Sequence, residues 1–494
     1  MQITNRKKRS PFLMLTCSAL LLPFIILTGC AVGPDYQKPS LQAPLQWSEA
    51  STGDAIWKPA TPVDGKTKGE WWEIFGDAQL NVLEQQALAN NLNLQAAVAR
   101  LDQARALAQI ARGGLLPTLS LDGNSTRTRT SANRPNSGND NSVRSTLKND
   151  NSLALTANYE LDFFGRVRRD IEAGKAGEQQ VAADFENVKL LLAADVAAGY
   201  FNSRSLQAEL AILKESISIQ SHILDVVRAR HEDGVANGID LAQQELIVSN
   251  NRSQYQQLLR QYSEQQHALA TLLGVNAADF SLTDASLPAQ LPQIPTLLPG
   301  ELLQRRPDIA SAERAVAVAN AQIGIARTAW FPGFNLSAAD GFESTHLNAL
   351  FDAPSAAWSM GLAFSQTIFD AGRTSGREKY AVAAHQQASA SYRNAVLSAW
   401  QEVEDNLSSA RTLKAAHADA ENASRAATQV ADITEDRYQA GLSSAIERYT
   451  AQQNALTAKR QQQQLDGQQW INAVLLVKSL GGGWSADKLA INGP

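Results

Sequence analysis

The chain has 494 residues, 44% of them hydrophobic and 19% charged, with a formal net charge of −5. That hydrophobic share with regular patterning excludes intrinsic disorder, and a mean hydropathy of −0.25 with a single long apolar run excludes a polytopic helical membrane protein. A mildly acidic balance without a basic cluster argues against nucleic-acid binding.

Taken from the N-terminus, Arg6, Lys7, Lys8 and Arg9 precede an apolar run from Phe12 to Leu27. This is the pattern of a secretory signal, not of a folded domain. The run ends Leu27-Thr28-Gly29-Cys30, which resembles the bacterial lipobox, where a thiol at the membrane surface takes a lipid and small residues admit the peptidase. Residues 1–29 are therefore read as a signal peptide and Cys30 as the lipidated first residue of the mature chain. An ordinary signal with an incidental cysteine is the alternative. Ala31 after the cysteine, in place of Asp, favours outer-membrane delivery by the same resemblance. The other cysteine, Cys17, lies inside the signal, so the mature chain has no free thiol and no disulfide. The lipid on Cys30 is the only attached group expected, with no other cofactor. Removing the signal takes away four positive charges and no negative ones, moving the net charge from −5 to −9. A linker segment at 30–75 follows.

The rest of the chain repeats itself. Ile110-Ala111-Arg112 with Pro117 matches Ile325-Ala326-Arg327 with Pro332, the prolines being offset by 215. Phe164-Gly165-Arg166 matches Ala371-Gly372-Arg373, and His231-Glu232-Asp233-Gly234 matches Tyr438-Gln439-Ala440-Gly441, both at offset 207. The first copy thus carries eight extra residues after Pro117, while Gly165 to Gly234 and Gly372 to Gly441 both span 69. The copies are placed at 76–287 and 308–480, with a connector at 288–307 and a tail at 481–494. Each reads as helix, strand, long loop, strand, very long helix, glycine turn, return helix.

The strands are expected at about 117–127 and 151–164 in the first copy and about 332–342 and 357–369 in the second. The second is the clearest: Leu153, Leu155, Ala157, Tyr159, Leu161 and Phe163 alternate with Ala154, Thr156, Asn158, Glu160 and Asp162, a period of two. The stretch from about Thr126 to Asn151 is polar and reads as an exposed loop. A half-buried soluble sheet would alternate in the same way. The export signal and the length of the strands favour transmembrane β-strands instead. Four strands cannot close a barrel, and open edges are not tolerated in lipid, so such a chain must oligomerise.

The 17 prolines avoid 136–287 and 355–493. Proline breaks helix interiors at about 3 kcal/mol or more, so both stretches hold long helices. From about 170 to 231 a helix would run roughly 90 Å at 1.5 Å per residue. Val181, Val188, Leu192, Val196, Leu206, Leu210, Leu213, Ile217 and Leu224 recur on it at threes, fours and sevens, the spacing of coiled-coil packing. A solvent-exposed stalk would use the same residues, but a helical tube continuous with the barrel also explains the repeat. Asp162, Gly165 and Arg166, with Asp370, Gly372 and Arg373, read as structural strand-to-helix turns. Arg306-Pro307-Asp308 reads as a helix start. The six histidines form no metal-ligand spacing. No phosphate loop, dinucleotide fingerprint or nucleophile elbow is present, so no enzyme is expected.

Trp71-Trp72-Glu73-Ile74-Phe75-Gly76-Asp77, Tyr159-Glu160-Leu161-Asp162-Phe163-Phe164-Gly165-Arg166 and Leu303-Gln304-Arg305-Arg306-Pro307-Asp308-Ile309 resemble outer-membrane factors of the TolC/OprM/NodT type, best the lipidated OprM-like branch. The resemblance covers about Cys30 to Gly482. It implies an α+β membrane protein: a homotrimer whose strands, four per chain, form one 12-stranded outer-membrane β-barrel continuous with a long periplasmic α-helical coiled-coil barrel. It implies the exit duct of a tripartite efflux pump, in outer-membrane lipid, working with a periplasmic adaptor protein and an inner-membrane transporter, often proton-driven. A protein-secretion duct of the same build is the alternative within transport. A surface coiled-coil lipoprotein with an adhesive role is the alternative outside it. The turns at Gly234 and Gly441 are implied to be periplasmic tips that meet the adaptor. Relatives often carry an Asp where this chain has Thr450, so a carboxylate ring is not expected there, and Ile446 and Thr450 are the candidate aperture residues. Three Met and no His cluster give no support for copper or silver export.

Overall fold

The computed structural model describes residues 31–49, 57–59, 70–132, 145–285, 287–288, 290–296 and 299–482. The expected signal peptide, Cys30 and most of the C-terminal tail lie outside them. The elements are β1 (Trp57–Pro59), α1 (Ala78–Asn90), α2 (Leu92–Gly113), β2 (Thr118–Arg129), β3 (Leu147–Leu161), α3 (Arg166–Glu232), α4 (Gly238–Leu272), β4 (Ile294–Thr296), α5 (Pro299–Arg305), α6 (Pro307–Thr328), β5 (Gly333–Ser344), β6 (Ala356–Ser365), α7 (Arg373–Gln439) and α8 (Ala445–Ser479). The two copies share one element order, although β3 has 15 residues against 10 in β6, and α1 has 13 against 7 in α5. α2 and α6 have 22 residues each, β2 and β5 have 12, α3 and α7 have 67, and α4 and α8 have 35. The first helix of each copy is split in two. Asn91 breaks the first copy, its side chain accepting from the Leu94 N–H at 3.0 Å. Arg306 breaks the second, with Pro307 opening α6 where its missing N–H costs nothing.

The chain forms two compact units. One comprises Met1–Lys38, Ala104–Glu178 and Arg314–Ser389. Its strands form one antiparallel sheet in the order β2-β3-β5-β6. Strand ends differ from expectation. β3 begins at Leu147, and β2 continues to Arg129, through a segment that reads as loop. The apolar alternation has stopped there, but the backbone ladder goes on, extended by side-chain bonds such as Ser125 to Asn151 at 2.7 Å. β3 ends at Leu161, short of 164, because the Asp162 carboxylate turns to accept the N–H groups of Val167 and Arg168 at the start of α3. β6 ends at Ser365, short of 369, where its only partner strand, β5, starts at Gly333.

The second unit comprises Pro39–Gln103, Gln179–Glu313 and Ala390–Pro494. Its core gathers the aromatic motif: Phe75 lies 5.1 Å from Phe201, which stacks on Trp470 at 4.9 Å. Asp77 caps α1 and accepts from the Tyr200 hydroxyl at 2.6 Å. Further along, Leu210, Leu213, Leu258 and Leu456 close a core between α3, α4 and α8, and Ala431, Ala451 and Ala455 let α7 and α8 approach closely. Of the apolar series noted above on α3, Leu192, Val196, Leu210, Leu213 and Leu224 are buried. Arg306 does more than precede a helix. It bonds Asp308 at 2.7 Å, Glu402 at 2.6 Å and the Ser479 carbonyl at 3.1 Å, joining α5, α6, α7 and α8. A short parallel pairing of β1 with β4 has no counterpart in the sequence reading.

Glu84 on α1 is fully buried, and neither carboxylate oxygen has a hydrogen-bond partner. Burial pushes its pKa from 4.5 up to about 9. The folded chain holds this proton between those two values while the unfolded chain loses it. Stability is therefore full below about 4.5 and declines as pH rises toward 9. Glu84→Gln, neutral at every pH, removes that slope and raises the thermal midpoint relative to the parent at pH 8, where the folded parent must hold a proton that its unfolded chain has released. Thermal midpoints of both proteins from pH 5 to 9 test this, and parallel profiles would refute it.

Candidate functional site

The sheet register sorts every strand side chain onto one of two faces. Cross-strand partners Leu121, Leu155, Asp340 and Trp358 share a face, as do Leu119, Ala157, Ala338 and Met360. With Leu336, Leu362, Phe334 and Phe364 this face is apolar, Asp340 being its one carboxylate. The other face carries Ser120, Asp122, Thr156, Asn158, Ser337, Ser359 and Gly361. There the Thr156 hydroxyl donates to Asp122 at 2.6 Å and lies 2.6 Å from the Ser120 hydroxyl. Apolar-out and polar-in is the arrangement of a strand wall between lipid and a water-filled lumen. Every residue of the edge strands β2 and β6 is exposed in the single chain. Among the described residues no helix is long and apolar enough to cross a membrane.

At the foot of this sheet the residues after Cys30 are tied down. The Val32 N–H donates to the Phe164 carbonyl at 3.0 Å. The buried Arg169 guanidinium bonds Asp35 at 2.8 Å and the Val32 carbonyl at 3.3 Å, and Asn320 donates to the Pro34 carbonyl at 2.9 Å. Gly33 sits on Gly324 so closely that a Cβ would strike its backbone. Asp162 and Asp370 are capping residues, as the turn reading held: Asp370 accepts from Thr374 N–H and hydroxyl, both at 2.7 Å.

In the helical unit the two glycine turns are near copies. Gly234 has φ +74 and Gly441 φ +73, the left-handed conformation that ends a helix at little cost only for glycine. Val235 N–H reaches back to the Arg230 carbonyl at 2.8 Å, as Leu442 does to Arg437 at 2.8 Å. The next helices start on matching caps: Asn237 accepts from Asp240 N–H, and Ser444 forms a reciprocal capping box with Glu447. Hydrogen bonds from Ser443 and Ser444 hold the Glu447 carboxyl below its ordinary range. Ile446 and Thr450 lie exposed one helical turn apart on α8, the Thr450 hydroxyl donating to the Ile446 carbonyl at 2.8 Å.

Behind that face is a polar layer that sequence reading missed. Gln244 donates to Gln220 at 2.8 Å, Gln220 to Gln452 at 3.0 Å, and Gln452 to Glu435 at 3.1 Å, linking α4, α3, α8 and α7 in turn. The buried Arg448 guanidinium lies 4.2 Å from the Tyr438 ring and 4.9 Å from Tyr449. Only the Arg and Tyr at positions 437–449 hinted at it, and their burial could not be read from a pattern that is polar all round.

The sequence pattern described as outer membrane efflux protein matches residues 83–275 and 298–482. The chain belongs to that family. It is 31% identical over 471 residues to a probable efflux pump outer membrane protein, TtgC, of Pseudomonas putida, covering 94% of this chain and 95% of that one. It is 30% identical to the cation efflux system protein CusC of Escherichia coli, covering 94% and 98%. Its fold matches the solved outer-membrane channel OprN with a TM-score of 0.85 at 28% identity, covering 92% of this chain and all of that one. The family is one of trimeric channels acting in tripartite pumps, and not of enzymes. This outer membrane efflux protein is thus an α+β outer-membrane channel.

If the polar face of the sheet borders the lumen, its charges predict a preference among ions. Strand residues Asp122, Asp150 and Glu343 oppose Lys148 alone, since Arg166 answers Glu160 with two bonds of 2.6 Å. Reversal potentials across a salt gradient are expected to show cation preference, and Asp122→Asn to reduce it by roughly twofold, three carboxylates being lost per trimer. Anion preference in the parent channel would contradict the assignment of faces.

Proposed function

We propose that three copies of this chain close into one exit duct for small molecules, tethered by a lipid on Cys30 and completed by a periplasmic adaptor and a proton-driven inner-membrane transporter. The carrying observation is the sheet: four strands, apolar on one face and polar on the other, with both edges unpaired. Such a sheet is stable in lipid only when its edges meet other strands. No reaction takes place in the duct, and the driving energy comes from the inner-membrane partner. Named relatives include pumps for toluene and a pyoverdine exporter, which favours small molecules over secreted proteins. Residues 31–36, held at the foot of the sheet, would fix where the lipid enters the bilayer.

We place the periplasmic tips at Gly234 and Gly441 and the narrowest aperture at Ile446 and Thr450. Both aperture side chains face away from their own protomer, with Ile446 57% exposed, so three copies can present them to one another. Ile446→Ala and Thr450→Gly should each raise single-channel conductance of the purified trimer in a planar bilayer, by about twofold if the aperture limits flow. Unchanged conductance in both variants would remove these residues from the aperture. A coiled-coil stalk would give no conductance at all.

The tips are also where the adaptor is placed. Charge reversal at Asp233, Arg437 or Glu447 should abolish export in cells while leaving heat-resistant trimers intact. Normal export in every such variant would exclude adaptor contact at these turns.

A further inference from the structure

The two halves of the sheet are built on one register. Thr118 opposes Asn158 in the first hairpin and Gly333 opposes Ser365 in the second. These are the same pair shifted by 215 on one strand and 207 on the other, the offsets of the sequence repeat. The hairpins are joined inside the chain through β3 and β5, whose register is also known: Leu161 opposes Phe334, Thr156 opposes Ala339, and Asn151 opposes Ser344. The outer edges are the repeat equivalents of that junction. β6 corresponds to β3, and β2 corresponds to β5.

We propose that β6 of one subunit pairs antiparallel with β2 of the next in the register of the internal β3–β5 junction, so that Ala363 lies opposite Asn124 of the partner subunit. The proposal rests on the reading of the sheet as closed by copies of itself, and adds the alignment of the copies. The same shift sets Gly361 against Thr126 of the partner subunit and Ile368 against Leu119 of the partner subunit.

Three observations agree with this alignment. Side-chain parity is kept, so the face of β6 that carries Trp358, Met360, Leu362 and Phe364 joins the face of β2 that carries Leu119 and Leu121, and the polar faces stay together, whereas a one-residue slip would reverse every side chain of the added strand. Ile368 is 95% exposed and Leu119 67% exposed in the single chain, and this register covers each with the other. It also accounts for the short β6. β3 runs past Asn158, where its pairing with β2 ends, to Leu161 because β5 pairs with it that far, and the equivalent position on β6 is Ile368. The strand stops at Ser365 in a lone chain and gains three residues when β2 of the partner subunit supplies the missing bonds.

Cysteine pairs test the alignment. The native cysteines are only Cys17 and Cys30, and the parent chain serves as the blank. Directly opposed strand residues lie within disulfide reach, while positions slipped by two lie about 7–8 Å apart, beyond it. Ala363→Cys with Asn124→Cys should link subunits on oxidation in outer membranes, read as covalent dimer and trimer bands on non-reducing gels. The slipped pairs, Ala363→Cys with Asp122→Cys and Ala363→Cys with Thr126→Cys, should give at least tenfold less. Gly361→Cys with Thr126→Cys repeats the test one step along the ladder. Equal or greater linkage in a slipped pair, or none in either matched pair within trimers of normal conductance, overturns the register and leaves the channel standing. A parent chain that forms no heat-resistant trimer overturns both.

Discussion

Unmade hydrogen bonds on the two sheet edges govern this protein. Strands β2 and β6 each pair on one side only, and a backbone N–H or carbonyl left bare in hydrocarbon costs several kcal/mol. A single chain with this sheet cannot rest in a bilayer. Association is therefore a condition of folding in the membrane, not a later addition to a finished protomer. The family's trimeric state is the answer to that condition, and channel and oligomer are one structural fact.

The internal repeat makes association geometrically simple. Two hairpins of one register, two helices of 67 residues and two return helices of 35 give each chain two nearly equivalent halves. A junction that works within the chain can be reused between chains. The halves are not identical. The first copy holds the longer β3, the polar projection above the apolar band and the eight extra residues. The second holds Ile446 and Thr450 on α8, with Arg448 buried behind them.

The helical unit is stabilised differently from the sheet. Its long helices bury a narrow stripe of Leu, Val and Ala and are otherwise polar. Specificity between them comes from buried polar contacts: Arg306 tying together the helices around it, Arg204 of α3 bonded to Gln79 of α1 and to the Thr283 carbonyl, and the glutamine relay near the turns. Glu84 is the exception, a carboxyl buried without a partner, and it makes stability depend on pH in a direction opposite to that of paired carboxylates.

Sequence alone determined the export signal pattern, the repeat and its offsets, the length of the rods, the alternation of the strands and the turns at Gly234 and Gly441. These are periodic or punctuated features, and local sterics and hydrophobic period decide them. The strand ends were not legible in the same way. Thr126 to Arg129 and Leu147 to Asp150 lack apolar alternation, and only the neighbouring strand's backbone keeps them extended. Ile368 and Phe369 do alternate, yet leave the sheet where no strand lies beside them. The roles of Glu84, Arg306 and Arg448 were likewise decided only by tertiary structure, because burial of a polar side chain depends on which helices converge around it. That convergence joins residues as far apart as Arg306 and Ser479, a separation at which no local pattern carries information.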